Sequence, residues 1–197
     1  VEVFHNMGNA LKDQNKPKEA IKAYKKAISL KADYVDAYNN LGAIFQAQGE
    51  SEEALQMYRQ AISIKPGFAD AHNNMGNALL GLGELEKSVK AFKKAISIKP
   101  DFADAYNNMG NVFHNKNELE KAIGTYNKAL SLKPDFADAY NSMGNAFYDQ
   151  GKIDKAIEAY NKALILKPGL TDSYNNIGLS LQEQGKLKEA EEAFVKI

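Results

Sequence analysis

Glycine stands at residues 8, 42, 76, 110, 144 and 178, and every interval is 34 residues. The same step joins Tyr24, Tyr58, Phe92, Tyr126, Tyr160 and Phe194, and it joins Ala20, Ala54, Ser88, Ala122, Ala156 and Ala190. It also joins Ala27, Ala61, Ala95, Ala129 and Ala163, while proline falls at 66, 100, 134 and 168, with Ala32 where the first proline is due. A unit this short cannot bury its apolar faces alone, so its copies must stack on one another. The 197 residues hold five full units (1–34, 35–68, 69–102, 103–136, 137–170) and 27 residues of a sixth, 171–197. They read as a single solenoid over 1–197 rather than a row of separate globules.

Each unit contains two helical patterns. At 100° per residue, unit positions 3, 4, 7, 8, 10 and 11 share an arc of about 160°. In the fourth unit these are Ala105, Tyr106, Met109, Gly110, Val112 and Phe113, all apolar or small. Positions 17, 20, 21, 24, 27 and 28 share an arc of about 120°, occupied there by Leu119, Ala122, Ile123, Tyr126, Ala129 and Leu130. The first pattern is helix A and the second helix B. Position 15 holds Gly49, Gly83, Gly151 and Gly185, or Asn15 and Asn117, the residue types that accept a left-handed conformation after a helix end. Lys31, Lys65, Lys99, Lys133 and Lys167 suit the negative end of helix B, and the proline after four of them stops it. Asp33, Asp101 and Asp135 are expected to cap the next helix A.

This unit length and these small and aromatic positions resemble the tetratricopeptide repeat, over the whole chain. The departures are Ala32 for proline, Ser88 for alanine, and Tyr, Phe or His72 where that family often has tryptophan. The resemblance implies an all-α fold, a right-handed α-solenoid (superhelix) of antiparallel helix pairs, with helix A lining the concave side.

The residues that helix A leaves out of its apolar arc are at positions 2, 5, 6, 9, 12 and 13, so these line the inner surface. Position 6 reads Asn6, Asn40, Asn74, Asn108, Ser142, Asn176, and position 5 reads His5, Asn39, Asn73, Asn107, Asn141, Asn175. Position 9 adds Asn9, Asn77, Asn111 and Asn145, with Ala43 and Leu179 in the other units. Asparagine is a poor helix former, so so many of them on one face call for a reason. An amide carries a donor and an acceptor together and can pair with the backbone of an extended peptide whatever its side chains. The amides can instead bond to the neighbouring helix and set its register. Position 2 is acidic throughout: Glu2, Asp36, Asp70, Asp104, Asp138 and Asp172. These carboxylates favour the positive first turn of helix A and, with Asp13, Asp149 and Glu183 on the same face, make a negative groove. The outer positions 22, 25 and 26 are rich in lysine, a solvated surface.

The groove pattern is similar to the tetratricopeptide region of O-GlcNAc transferase, in which an asparagine ladder and acidic residues hold extended substrate segments. Asn6, Asn40, Asn74, Asn108 and Asn176 match the ladder, and Ser142 is a broken rung. The subtype that clamps a C-terminal carboxylate with lysine and arginine is not matched, since His5, Asn39, Asp70, Asn73 and Asn74 occupy those places. The function expected is a non-enzymatic interaction scaffold for an extended, neutral or basic segment of another protein. The alternative is the substrate-recruiting arm of a larger enzyme such as a glycosyltransferase.

Equal numbers of basic and acidic residues, 25 each, provide no bulk field for nucleic acid or anionic membrane. With no cysteine there is neither disulfide nor thiolate metal site. His5, His72 and His114 occupy different unit positions and do not converge, so no metal or other cofactor is expected. No apolar run approaches a membrane span, and a cytoplasmic location is favoured. The chain starts inside a unit and without methionine, as a fragment would. It ends without the polar helix that seals a last repeat, so self-association through exposed terminal repeats is a further expectation.

Overall fold

The computed structural model describes residues 1–196. Among the described residues the chain is helical throughout, without strands. The A helices are α1 (Glu2–Asp13), α3 (Val35–Ala47), α5 (Ala69–Gly81), α7 (Ala103–Asn115), α9 (Ala137–Asp149) and α11 (Thr171–Glu183). The B helices are α2 (Pro17–Leu30), α4 (Ser51–Ile64), α6 (Leu85–Ile98), α8 (Leu119–Leu132), α10 (Ile153–Leu166) and α12 (Leu187–Phe194). They form two compact units, Val1–Pro100 with α1 to α6 and a second from Asp101 onward with α7 to α12. Within each, every helix packs on the next, and A helices of successive repeats also touch, as α3 does α5 and α9 does α11.

The glycine and aromatic series explain one another. Tyr24, Tyr58, Phe92, Tyr126 and Tyr160 are fully buried, each with its ring against the glycine of its own helix A. A β-carbon at Gly110 would lie 2.5 Å from Tyr126 Cε1, well inside van der Waals contact, so only glycine lets the ring lie on the helix backbone. The rings then anchor the cores: Tyr24 with Ala27, Ala37, Leu41 and Ile44 in the first unit, Tyr126 with Leu130, Phe136, Met143 and Ala146 in the second. Burying one such ring contributes about 1.5–3 kcal/mol.

The turns after helix A follow the sequence expectation. Asn15 and Asn117 take φ of 56° and 57°, and Gly49, Gly83, Gly151 and Gly185 are also left-handed. The caps of helix A do not. Its N-cap is the following residue, Tyr34, Phe102 or Phe136, without a side-chain cap bond, and Asp33, Asp101 and Asp135 stand one residue too early. The cause is a turn in which the position-34 amide bonds back to the lysine carbonyl at position 31, as in Tyr34 N to Lys31 O at 3.2 Å and Phe136 N to Lys133 O at 3.2 Å. The helix therefore begins after an aromatic ring that is itself packed; Phe136 is buried. Met7 also departs from expectation. Its counterparts Met109 and Met143 are buried, but Met7 is 51% exposed, because α1 packs chiefly on α2. Leu187 on α12 and Val195 just after it are exposed, while Glu191 stands at the position of Ile123 and Ile157.

Candidate functional site

At position 6, Asn40, Asn74, Asn108 and Asn176 are half-buried and Asn6 is exposed, whereas at position 5 Asn73 and Asn107 are buried rather than on the open surface the sequence suggested. The amide nitrogens of Asn40, Asn74 and Asn176 point along the stack to the preceding repeat. Asn40 Nδ2 donates to Asn9 Oδ1 at 3.0 Å and lies 3.0 Å from His5 Nε2. Asn74 Nδ2 donates to Asn39 Oδ1 at 3.0 Å. Asn176 Nδ2 donates to Asn145 Oδ1 at 3.0 Å and to Asn141 Oδ1 at 3.5 Å. The bonds of Asn40 and Asn176 to the preceding repeat thus use the amide nitrogen and leave the carbonyl oxygen to accept.

Position 9 is tied to the core from below. Tyr24, Tyr126 and Tyr160 donate their phenol hydrogens to Asn9, Asn111 and Asn145 at 2.6, 2.8 and 2.9 Å. The second repeat has Ala43 at this place, and Tyr58 donates to Gln46 instead, at 2.9 Å. Asn77 sits in the repeat of Phe92, which has no hydroxyl to give. Burial pushes the phenols of Tyr58, Tyr126 and Tyr160 well above the usual tyrosine range. They stay neutral and act as donors.

The broken rung has a structural consequence. In the second unit Asn141 Oδ1 accepts from Asn176 and from Ser173 Oγ at 2.8 Å. Asn107, the same position one repeat earlier, is 7% exposed, and its Oδ1 is buried without a partner. The residue due to donate to it is Ser142, whose hydroxyl is shorter than an asparagine amide and lies near the Tyr126 phenol instead.

Glu2, Asp36, Asp70, Asp104, Asp138 and Asp172 are all exposed in the first turns of their helices, at the positive helix ends. Asp138 lies 3.8 Å from Lys167.

A recess of about 290 Å³ opens among the A helices of the second unit, lined by His114, Asn145, Tyr148, Asp149, Asn176 and Leu179. His114 Nε2 lies 2.6 Å from Asp149 Oδ2, and the Glu183 carboxylate near Tyr148 pushes its phenol upward. Sequence reading assigned Asn145, Asn176 and Asp149 to this face, named Leu179 there without a role and His114 only as a histidine that meets no other, and did not name Tyr148. The only signal was their departure from the unit pattern: an aromatic at position 12 and an apolar residue at position 9. Among the described residues no group of His, Cys, Asp or Glu is arranged to hold a metal ion, and no helix is long and apolar enough to cross a membrane.

No curated protein sequence matches the chain, but solved structures do. MamA is 29% identical over 82% of this chain and 94% of its own, with a TM-score of 0.70. YrrB, described as a TPR protein with an unusual peptide-binding site, is 22% identical over 86% of this chain and 88% of its own, with a TM-score of 0.65. A chain of the APC/C hetero-tetramer Cut9–Hcn1 superposes at a TM-score of 0.86 and 21% identity, over 98% of this chain and 39% of that one. At their identities the last two speak for the fold alone. The TPR repeat profile matches residues 8–49, 44–83, 76–117, 110–150 and 144–185, in phase with the glycine and aromatic series, and the chain belongs to the tetratricopeptide-repeat family.

Proposed function

We propose that this chain is a non-enzymatic interaction module whose six repeats, as one solenoid, receive an extended segment of a partner protein along the asparagine- and aspartate-bearing face of the A helices. The observation that carries this is the direction of the amides. Asn40 and Asn176 donate to the preceding repeat, so what they present to a ligand is an acceptor. Asp36, Asp70, Asp104, Asp138 and Asp172 are acceptors too, exposed on the same helices. A face of acceptors suits a ligand rich in donors: an extended backbone presenting N–H groups, with lysine or arginine among its side chains. YrrB, a protein of the same fold, carries a peptide-binding site.

At a net ~1 kcal/mol per amide contact, offset by the cost of association, the ladder alone binds weakly. The charges then set which segments are held.

The test is selection of binders from a library of random peptides, followed by titration of the selected peptides against Asn40→Ala/Asn74→Ala/Asn108→Ala. Neutral or basic sequences and a clear loss of affinity in the folded triple variant are expected. Enrichment of acidic peptides, or unchanged affinity in a variant with native circular dichroism, rejects the proposal. A second reading keeps this surface and makes it the substrate-recruiting arm of a larger enzyme, a glycosyltransferase by the ladder's resemblance. Its support is that this fold also occurs as part of a longer chain, as in the Cut9–Hcn1 match, where it accounts for 39%. The reading frame surrounding these codons decides it: a catalytic domain on either side is required.

A further inference from the structure

We infer that the recess among α7, α9 and α11 is a subsite for one arginine side chain of the bound segment, an inference that rests on the peptide-binding reading above and gives it a point of sequence preference. The walls of the recess differ from every other stretch of the A-helix face. Leu179 stands where four of the other five repeats carry asparagine, and it is 42% exposed, an apolar surface at a position that is otherwise mostly polar. Tyr148 supplies an aromatic wall beside it. Together they suit the methylene stem and the planar face of a guanidinium, which packs on aromatic rings.

The polar groups are acceptors in the main, Asn145 being the exception, since its oxygen already accepts from Tyr160 and Asn176. Asp149 Oδ2 is held by His114 at 2.6 Å, which leaves Oδ1 to accept, and the Asp149 side chain is 47% exposed. Asn176 has its nitrogen on Asn145 and Asn141, so its carbonyl oxygen is the group left for a ligand. Glu183, near Tyr148, adds a second carboxylate to the surroundings of the recess. The His114 donor is already used on Asp149, so an anionic side chain meets carboxylates. A purely apolar one leaves them unpaired. A guanidinium satisfies Asp149 and Asn176 together with parallel N–H groups, whereas a lysine ammonium matches the charge without the plane.

The experiment uses the full 197-residue chain and three capped peptides, acetyl-Ala-Ala-Arg-Ala-Ala-amide and its norleucine and glutamate counterparts, titrated by NMR at low salt. The arginine peptide is expected to shift Tyr148, the Leu179 methyls and the Asn145 and Asn176 side-chain amides in a saturable way. The norleucine peptide should bind about tenfold more weakly or worse, as should the arginine peptide to Asp149→Asn, which keeps an oxygen for His114. Leu179→Asn should weaken both the arginine and norleucine peptides, because both have a stem. Equal binding of the norleucine peptide, or undiminished binding to Asp149→Asn, overturns the subsite. If all three peptides shift Asn40 and Asn74 alike and leave Tyr148 and Leu179 unmoved, the groove stands and the subsite falls. If the arginine peptide moves the recess and leaves the ladder amides untouched, the subsite stands and the ladder falls. Silence everywhere rejects both.

Discussion

Glycine to alanine is one chemical change, yet at two positions of the fourth repeat the structure gives it opposite signs. In a helix interior the substitution is normally favourable by about 1 kcal/mol, because alanine loses less backbone freedom on folding. At Gly124, in the middle of α8, an added β-carbon meets nothing within 4 Å, so the full gain should appear. At Gly110 the same carbon would lie 2.5 Å from Tyr126 Cε1 and 2.7 Å from Cδ1. Carbon atoms settle about 3.5–4.0 Å apart, so the ring must retreat by about 1 Å. It has no room to do so, being fully buried among Ala122, Leu130 and Met143. Overpacking of this kind costs about 1–3 kcal/mol, and the retreat strains the 2.8 Å bond from Tyr126 to Asn111, worth a further ~1 kcal/mol. After the helix gain is subtracted, Gly110→Ala should destabilise by about 1–3 kcal/mol. Urea titration followed by far-UV circular dichroism reads both variants. In thermal melts each kcal/mol moves the midpoint by about 2–4 °C for a chain of this size. A third measurement isolates the cause: in a Tyr126→Ala background, where the ring is gone, Gly110→Ala should turn stabilising. A Gly110→Ala protein as stable as the parent, or a Gly124→Ala protein less stable, refutes the reasoning.

Three further outcomes follow from the same geometry. Ser142→Asn should raise the unfolding free energy by about 1 kcal/mol, read as a higher urea midpoint, since the longer amide reaches the buried Asn107 Oδ1 that now lacks a partner; a neutral or lowered midpoint counts against that assignment. Burial pushes the Tyr58, Tyr126 and Tyr160 phenols up in the folded state, so above about pH 10 the unfolded chain ionises first and binds fewer protons. Stability should therefore be intact below that pH and fall as it is exceeded, and Tyr126→Phe/Tyr160→Phe should flatten the fall; an unchanged slope in the double variant argues against these two phenols as its source. End-to-end association should be weak in the parent chain, because Glu191 interrupts the apolar face formed by exposed Leu187 and Val195. Glu191→Ile should make the light-scattering mass rise more steeply with concentration, and an identical concentration dependence in the two proteins removes α12 as the contact.

How far the sequence could be read depends on whether an interaction stays inside one repeat or crosses to the next. The glycine and the aromatic ring above it lie 16 residues apart in one unit, as Gly110 and Tyr126 do, so six copies announce the contact and the fold follows from it. The A-helix face was legible as a set of positions, but the partners of those positions were not, because they are set by how one repeat sits on another. The helix cap was missed for a similar reason: a packed aromatic displaces the helix start by one residue, which periodicity does not register.

The inter-repeat bonds nevertheless obey a rule that the paired asparagines already contain. A side chain at position 6 meets position 5 of the preceding repeat, as in Asn40 with His5, Asn74 with Asn39 and Asn176 with Asn141. It also meets position 9 of that repeat, as in Asn40 with Asn9 and Asn176 with Asn145. Each repeat must therefore offer an acceptor at position 5 to the repeat that follows it, and a donor at position 6 to the repeat before. Two adjacent asparagines meet both demands in one unit. The helix propensity they lose is about 0.5 kcal/mol each or slightly more, and a buried, satisfied amide bond returns about 1 kcal/mol, so the doublet is tolerated wherever both neighbours are present. Where the rule is broken, at Ser142, the partnerless oxygen of Asn107 shows the loss directly. The same offset of one position between successive repeats joins His114 at position 12 to Asp149 at position 13. The recess is thus built by the register that orders the ladder, with side chains that break the repeat's composition and keep its geometry.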